Sequence, residues 1–206
     1  MLRPNLAMDA PPTGISVGGV AYPIDPDYRT WLMIQERARE LYGAPETPED
    51  ARHNLDVICG MEALAFGGVL TDENPYEALA AMMAFLHGYP DPPENGEAET
   101  KDPVCSFGCD LNYIILAIRS QGGPDLSYAR AEPFHWWRFL LEFKALAGEH
   151  YILRLMEIRG YEDHSKDDEK KAVREALRLK RRYALPYEMS ADEKRAAEAF
   201  DRMTGG

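Results

Sequence analysis

Three dipeptides, Asp25-Pro26, Thr47-Pro48 and Asn74-Pro75, constrain this chain more than any other feature. Each joins a side chain that accepts an orphan backbone N–H to a proline that has none to waste at the first helical position. Asp50 and Glu77 follow three residues after Thr47 and Asn74, where a first-turn acid completes a capping box or meets the helix dipole. Three successive helices are therefore expected. The first carries Tyr28, Trp31, Leu32, Ala38, Leu41 and Tyr42 and stops at Gly43; the second bears a stripe of Ala51, Leu55, Ile58 and Met61. The third has Leu79, Met82, Met83 and Leu86 and ends at Gly88. Ahead of them, Ile15, Val17, Val20 and Tyr22 surround Gly18-Gly19, the pattern of a small hairpin. A hairpin alone is marginal, so this one must pack on something.

Residues to Thr13 read as a loose arm, and Tyr89 to Pro103, with four prolines and five acids, reads as a flexible acidic connector. The helical pattern then resumes. Leu111, Ile114, Ile115 and Ile118 mark a helix from about Cys109 to Ser120, ended by Gln121-Gly122-Gly123-Pro124, and Asp125-Leu126-Ser127 makes a short turn. Further helices are expected from Pro133 to Leu146, from Glu149 to Arg159 and from about Lys166 to Ala184, with a last one capped by Ser190 and Glu193. The expected fold is mainly α, with a small N-terminal β-hairpin. Its organisation is an arm (1–13), a hairpin with three helices (14–88), the connector (89–103) and a helical C-terminal region (104–206).

The apolar fraction of 45% and charged fraction of 28% suit a folded globular protein. No apolar run has the length of a membrane span, and Met1 to Pro12 lacks the layout of a signal peptide, so a cytoplasmic location is expected. Cys59, Cys105 and Cys109 have no framework spacing and read as small buried residues in reduced form rather than metal ligands. The five histidines fall on separate segments, and no phosphate loop, dinucleotide fingerprint, zincin motif or nucleophile elbow is present in the sequence. No catalytic, metal or cofactor residue is assigned, and the chain is not expected to be an enzyme.

The net charge of −12 disfavours nucleic acid and anionic membranes as partners. Its distribution is uneven: Lys170 to Arg182 holds seven basic residues against Glu175, which leaves 16 basic and 34 acidic residues elsewhere. Lys170, Arg174, Arg178 and Arg182 recur at four-residue steps and form one stripe. That stripe is an ordinary solvated face or a docking surface for an acidic partner, including another copy of this acidic chain; nucleic acid is a third reading, which the acidic remainder of the chain disfavours.

Phe134-His135-Trp136-Trp137-Arg138-Phe139-Leu140-Leu141-Glu142-Phe143 is apolar on more than one helical face. Such a helix is central to a core or covered by a partner, which makes Trp136, Trp137 and Arg138 candidate partner contacts, with the core reading ahead for the tryptophans. The stretch His135-Trp136-Trp137-Arg138-Phe139 is followed by Met156-Glu157-Ile158-Arg159 and by Lys180-Arg181-Arg182-Tyr183-Ala184-Leu185-Pro186. Phe107, Asp110, Tyr113-Ile114 and Asp125-Leu126 precede it, and Tyr22-Pro23-Ile24-Asp25 with Asp27-Tyr28-Arg29-Thr30-Trp31-Leu32 lie further upstream. In their joint order these motifs resemble the gene-product-fifteen family of bacteriophages, found among the tail genes of phages and prophages. The connector and the end after Pro186 depart from the family pattern.

The resemblance implies a role in building the phage tail. The family's usual place before the tape-measure gene implies a tail assembly chaperone, an oligomerising helical protein whose partner is the tape-measure or tail tube protein. Adaptable residues such as Met82, Met83 and Met156 would then help cover an apolar helical partner. A structural virion protein of the tail or head–tail junction is the alternative. A host-takeover regulator is a third class, for which the sequence offers no recognition helix.

Overall fold

Gly18 and Gly19 take φ values of +57° and +87° and close a two-residue turn between β1 (Gly14–Val17) and β2 (Val20–Pro23). The strands pair antiparallel with Ile15 opposite Tyr22 and Val17 opposite Val20, the register that a turn with two positive φ angles imposes. This is a computed structural model, and it describes residues 9–88, 103–126, 133–162, 170–186, 189 and 191–204. The loose arm up to residue 8 and nearly all of the connector lie outside the described residues. Among the described residues the hairpin is followed by eight helices.

Contacts divide the chain into two compact units. The described residues of Met1–Pro90, Glu132–Leu140 and Glu188–Gly206 form the first, and those of Asp91–Ala131 and Leu141–Tyr187 form the second. Neither unit is a single consecutive stretch.

In the first unit the hairpin packs on α3 (Pro75–His87), which supplies the support it needs. Val17 is its buried anchor, and the Tyr22 hydroxyl donates to Glu73 Oε1 at 2.7 Å. Helix α1 spans Tyr28–Ala38 and packs on α2 (Pro48–Phe66), which packs in turn on α3. The Thr47-Pro48 start is as expected: Thr47 accepts from the Asp50 N–H at 3.1 Å, and the Asp50 carboxylate accepts from the Thr47 N–H at 3.0 Å. Asn74 caps α3 through the Tyr76 N–H.

Asp25-Pro26 departs from expectation. The cap of α1 is Asp27, which accepts from the Arg29 N–H at 2.9 Å, and Pro26 lies outside the helix. Pro26 is needed elsewhere, because its carbonyl accepts the Trp136 N–H at 2.8 Å while the Tyr28 N–H donates to the Phe134 carbonyl at 2.8 Å. Those two bonds form an isolated antiparallel bridge between Asp27 and His135. The bridge holds residues 134 and 135 out of helical backbone, so the helix expected from Pro133 begins instead at Trp136 (α5, Trp136–Lys144).

Helix α1 also stops short of Gly43. Arg39, Glu40 and Leu41 donate to Glu36, Arg37 and Ala38, a tightening of the last turn, and Asn54 then takes both the N–H and the carbonyl of Tyr42. On α2 the buried face is Asp50, Asn54, Val57, Ile58, Met61, Glu62 and Ala65, whereas Leu55 is exposed. The polar members survive burial because the loops on either side of the helix need them as capping partners.

The second unit holds α4 (Phe107–Ser120), α6 (Tyr151–Arg159) and α7 (Lys170–Arg182), with α6 packed on both of the others. The end of α5 from Leu141 belongs to this unit, where Phe143 meets Phe107 edge to face at 5.6 Å. Gln121 closes α4 and fixes the next loop: its Oε1 accepts from Ala147 N–H at 2.7 Å and from His150 Nε2 at 3.0 Å. Gly148, at φ +82°, turns the chain there, so α6 starts at Tyr151 rather than Glu149. The last helix, α8 (Ala191–Thr204), returns to the first unit, and its expected Ser190 cap lies outside the described residues.

Candidate partner-binding surfaces

Trp136 and Trp137 are 2% and 7% exposed, so the doublet belongs to the core of the first unit. Its geometry explains why two adjacent tryptophans are useful. The last carbonyls of any helix lack partners within it, and α3 ends at His87. The Trp137 indole N–H donates to the Phe85 carbonyl at 2.9 Å, and that of Trp136 donates to Leu86 at 3.0 Å. The rings then pack inward: Trp137 stacks on Phe85 at 5.0 Å, Trp136 on Phe139 at 5.7 Å, and Phe139 on Tyr28 at 4.7 Å. His135 is the polar hinge of this assembly. Its Nδ1 accepts from the Trp137 N–H at 3.1 Å and its Nε2 donates to the Pro12 carbonyl at 2.8 Å, the neutral tautomer. Burial holds its pKa below the usual imidazole value, Arg138 adds to the effect and the Pro12 carbonyl opposes it. Of the three residues named from this helix, Arg138 alone is exposed. Met82 is fully buried, and Met83 and Met156 are half-buried, so these methionines chiefly fill the core.

The basic helix keeps its stripe at the surface. Arg174, Arg178 and Arg182 are exposed, and the side chain of Lys170 lies outside the described residues. Arg178 is engaged by Glu175 one turn back at 2.7 Å, and Arg182 sits over the Tyr183 ring at 5.6 Å. Val173, Ala176 and Leu177 form the half-buried side, where Lys180 also turns inward to donate to the Tyr161 carbonyl at 3.1 Å.

Two arrangements were not anticipated from the sequence. The first is a buried ion pair that organises the second unit. Arg159 grips Asp110 with two bonds, Nη1 to Oδ2 at 2.6 Å and Nη2 to Oδ1 at 3.2 Å. It also donates to the Val104 carbonyl at 3.1 Å and, through Nε, to the Tyr183 carbonyl at 2.8 Å. Asp110 further accepts from the Ser106 N–H at 3.0 Å. One guanidinium thus joins the start of α4, the end of α6 and the chain after α7. Asp110 and Arg159 stood in the motif list, but 49 residues of separation hid the pairing.

The second is an uncharged strip along α4. Cys109, Asn112, Tyr113 and Leu116 are all exposed and share one helical face. Leu116 is 58% exposed, and Tyr113 meets the exposed Tyr151 of α6 edge to face at 4.9 Å. Apolar residues off the main stripe of α4 were the available signal. Cys109 corrects the expectation of buried cysteines, because Asp110 and Ile114 take the inward side of the helix and leave it outside. Cys105 is half-buried, and burial together with Asp110 pushes its thiol up to about 12, which makes it a poor nucleophile.

Among the described residues no group of histidines, cysteines and acids is placed to hold a metal ion. One serine–histidine approach, Ser120 Oγ to His150 Nδ1 at 3.4 Å, has a structural explanation: the hydroxyl donates to the Ala117 carbonyl at 2.8 Å. No helix among the described residues is long and apolar enough to cross a membrane.

No curated protein and no solved structure matches this chain. A family described as Bacteriophage Gp15 protein matches residues 87–185. The matched segment contains the Trp136-Trp137 doublet, the Asp110–Arg159 pair and the α4 strip. Residues 87–185, just under half of the chain, are thus similar to the bacteriophage Gp15 family.

Proposed function

We propose that this protein is a non-enzymatic morphogenesis factor of a phage tail, a tail assembly chaperone that covers apolar helical segments of the tape-measure protein before the tail is built. The observation that carries the reading is the α4–α6 strip: exposed Cys109, Asn112, Tyr113, Leu116 and Tyr151 carry no charge in a chain that is 28% charged. A tape measure is a long helical protein whose apolar stripes aggregate if left bare. An amphipathic partner helix is read through anchors at i, i+3, i+4 and i+7, the spacing at which Cys109, Asn112, Tyr113 and Leu116 recur. Tyrosines suit such a surface, because each offers an apolar ring and a hydroxyl that tolerates water when the partner leaves. The place of action on this reading is the host cytoplasm.

Co-expression with the neighbouring tape-measure protein tests it. Expected outcomes are improved solubility of the tape measure, co-purification, protection of Cys109 from alkylation in the complex, and loss of all three in Leu116→Asp. No gain in solubility, or stable incorporation of this protein into purified virions, would instead favour a structural component of the tail or head–tail junction.

A further inference from the structure

The two units differ sharply in charge. Met1–Pro90, Glu132–Leu140 and Glu188–Gly206 contain 19 acidic and 9 basic residues, a net −10; the remainder contains 16 and 14, a net −2, and carries the basic face of α7. On that face Arg174, Arg178, Arg181 and Arg182 are all exposed. Arg174 and Arg181, seven residues apart, have no ion-pair partner among the described residues. On α2, in the acidic unit, Glu49 and Asp56 are also exposed, also seven residues apart, and also without an ion-pair partner among the described residues. Seven residues is about 10 Å along a helix, so the two charged pairs have equal span. Between Glu49 and Asp56 lies exposed Arg52, and between Arg174 and Arg181 lies the Arg178–Glu175 pair, whose Glu175 side chain is 54% exposed.

We infer that the basic face of α7 docks on the α2 face of a second copy of this chain, with Arg174 and Arg181 against Glu49 and Asp56. Arginine suits the role because its planar fork binds carboxylate with two parallel bonds. Nucleic acid fits less well, since 34 acids against 16 bases in the rest of the chain would face the phosphates. Two copies of net charge −12 repel at long range, yet screening at physiological salt confines that repulsion to within about 8 Å and leaves the local pairs to decide contact. The two faces are different surfaces, so one contact leaves a free face on each copy, met either reciprocally about a two-fold axis or by further copies in a ring or filament. The inference does not depend on the tape-measure reading, which uses the α4–α6 strip.

Sedimentation velocity of the full chain at about 0.15 M and about 1 M NaCl tests it, because the screening length falls from about 8 Å to about 3 Å between them. The wild type is expected to associate at low salt and dissociate at high salt. Arg174→Glu/Arg178→Glu/Arg181→Glu and Glu49→Lys/Asp56→Lys should each weaken self-association by about tenfold or more, with helix content unchanged. Mixing these two variants should restore association, since each supplies the face the other lacks. The milder Arg174→Gln/Arg178→Gln/Arg181→Gln should weaken association in the same direction if the reversed variant misfolds. A monomeric wild type at low salt, unchanged association in the variants, or no recovery on mixing overturns the inference. Binding of a duplex oligonucleotide that depends on the arginines, with self-association untouched by Glu49→Lys/Asp56→Lys, overturns it in favour of nucleic acid.

Discussion

Replacing Arg159 by methionine keeps most of the side chain's volume and removes its charge and its donors. The structure specifies the loss. Asp110, 1% exposed, keeps the Ser106 N–H and loses both guanidinium bonds, and the carbonyls of Val104 and Tyr183 lose their Arg159 bonds as well. Breaking a buried pair from one side costs about 3–5 kcal/mol, most of it the uncompensated charge left behind. A domain's whole stability is about 5–15 kcal/mol, so this one change removes a large share of it. With a urea slope of about 1–3 kcal/mol per molar, the midpoint should fall by roughly 1–5 M. Trp31, Trp136 and Trp137 all lie in the first unit, so their fluorescence follows that unit while far-ultraviolet circular dichroism follows both. The dichroism transition of Arg159→Met should therefore move to lower urea. Adding Asp110→Asn removes the orphaned charge while keeping an acceptor for the Ser106 N–H, and should recover part of the loss with a coupling of about 1–3 kcal/mol. A loss below about 1 kcal/mol for Arg159→Met, the scale of an exposed pair, would refute the reasoning. So would a double variant whose loss equals the sum of the singles.

Glu62 is 1% exposed; one carboxylate oxygen accepts from the Leu70 N–H at 3.1 Å and the other, Oε1, has no hydrogen-bond partner. Burial pushes its pKa above the usual 4.5, against the Leu70 bond. Its charge therefore costs stability at neutral pH, and wild type regains that stability as pH falls through the raised pKa towards 4.5. Glu62→Gln should be more stable at pH 7 by about 1–3 kcal/mol, an advantage that shrinks on acidification in urea melts; no gain at pH 7 would count against the burial argument. His135 works in the opposite sense. Its folded pKa lies below the unfolded value of 6.5, so its contribution is complete above about pH 6.5, declines as pH falls through that value and levels off below the folded pKa. Wild type should lose stability relative to His135→Gln between about pH 7 and 5.5, and parallel pH curves would show that the imidazole is not held neutral. In the C-terminal helix, Arg195 donates to Asp50 Oδ2 and Asp192 Oδ1, both at 2.9 Å, and lies over Tyr42. Burial alone would raise Asp50, but the Glu46 and Thr47 N–H groups, the Thr47 hydroxyl and Arg195 hold its carboxyl below the usual value. Arg195→Ala should speed amide exchange along α8, and unchanged exchange there would mean that the helix is held by other contacts.

What the sequence made legible was local. Thr47-Pro48, Asn74-Pro75 and Gly18-Gly19 specify their structures within four residues, and each formed as read. Asp25-Pro26 carries the same chemistry, yet the cap moved two residues to Asp27 because a partner 107 residues away, Phe134, donates to the Asp27 carboxylate. Nothing near Asp25 announces that. The same distance effect placed the start of α5, since the backbone of Trp136 was already committed to Pro26. Leu55 was misplaced for another reason: Asn54 and Glu62 are buried because they serve the Tyr42 and Leu70 backbone, and the helix turns its face to suit them rather than the leucine. The basic stripe was legible because a four-residue period survives whatever the helix packs on.

The most conspicuous residues in the chain are not its surface. Trp136 and Trp137 draw attention because large aromatics are so often binding anchors, but an indole N–H is also an efficient donor to a helix end that must be buried. Both tryptophans are consumed in that task on Phe85 and Leu86. A partner that needed them would first have to unpack Phe85 and Phe139, take the indole donor from Leu86 and leave the Phe85 carbonyl with only the Gly88 N–H. Exposed Tyr113 and Leu116 meet no such demand, since among the described residues Tyr113 has one ring neighbour, Tyr151, which is itself exposed. Covering them with an apolar helix removes water from carbon at no cost in broken hydrogen bonds within the chain. On the proposed chaperone reading, binding therefore belongs to the quieter helix, and the tryptophans fix the frame of the other unit.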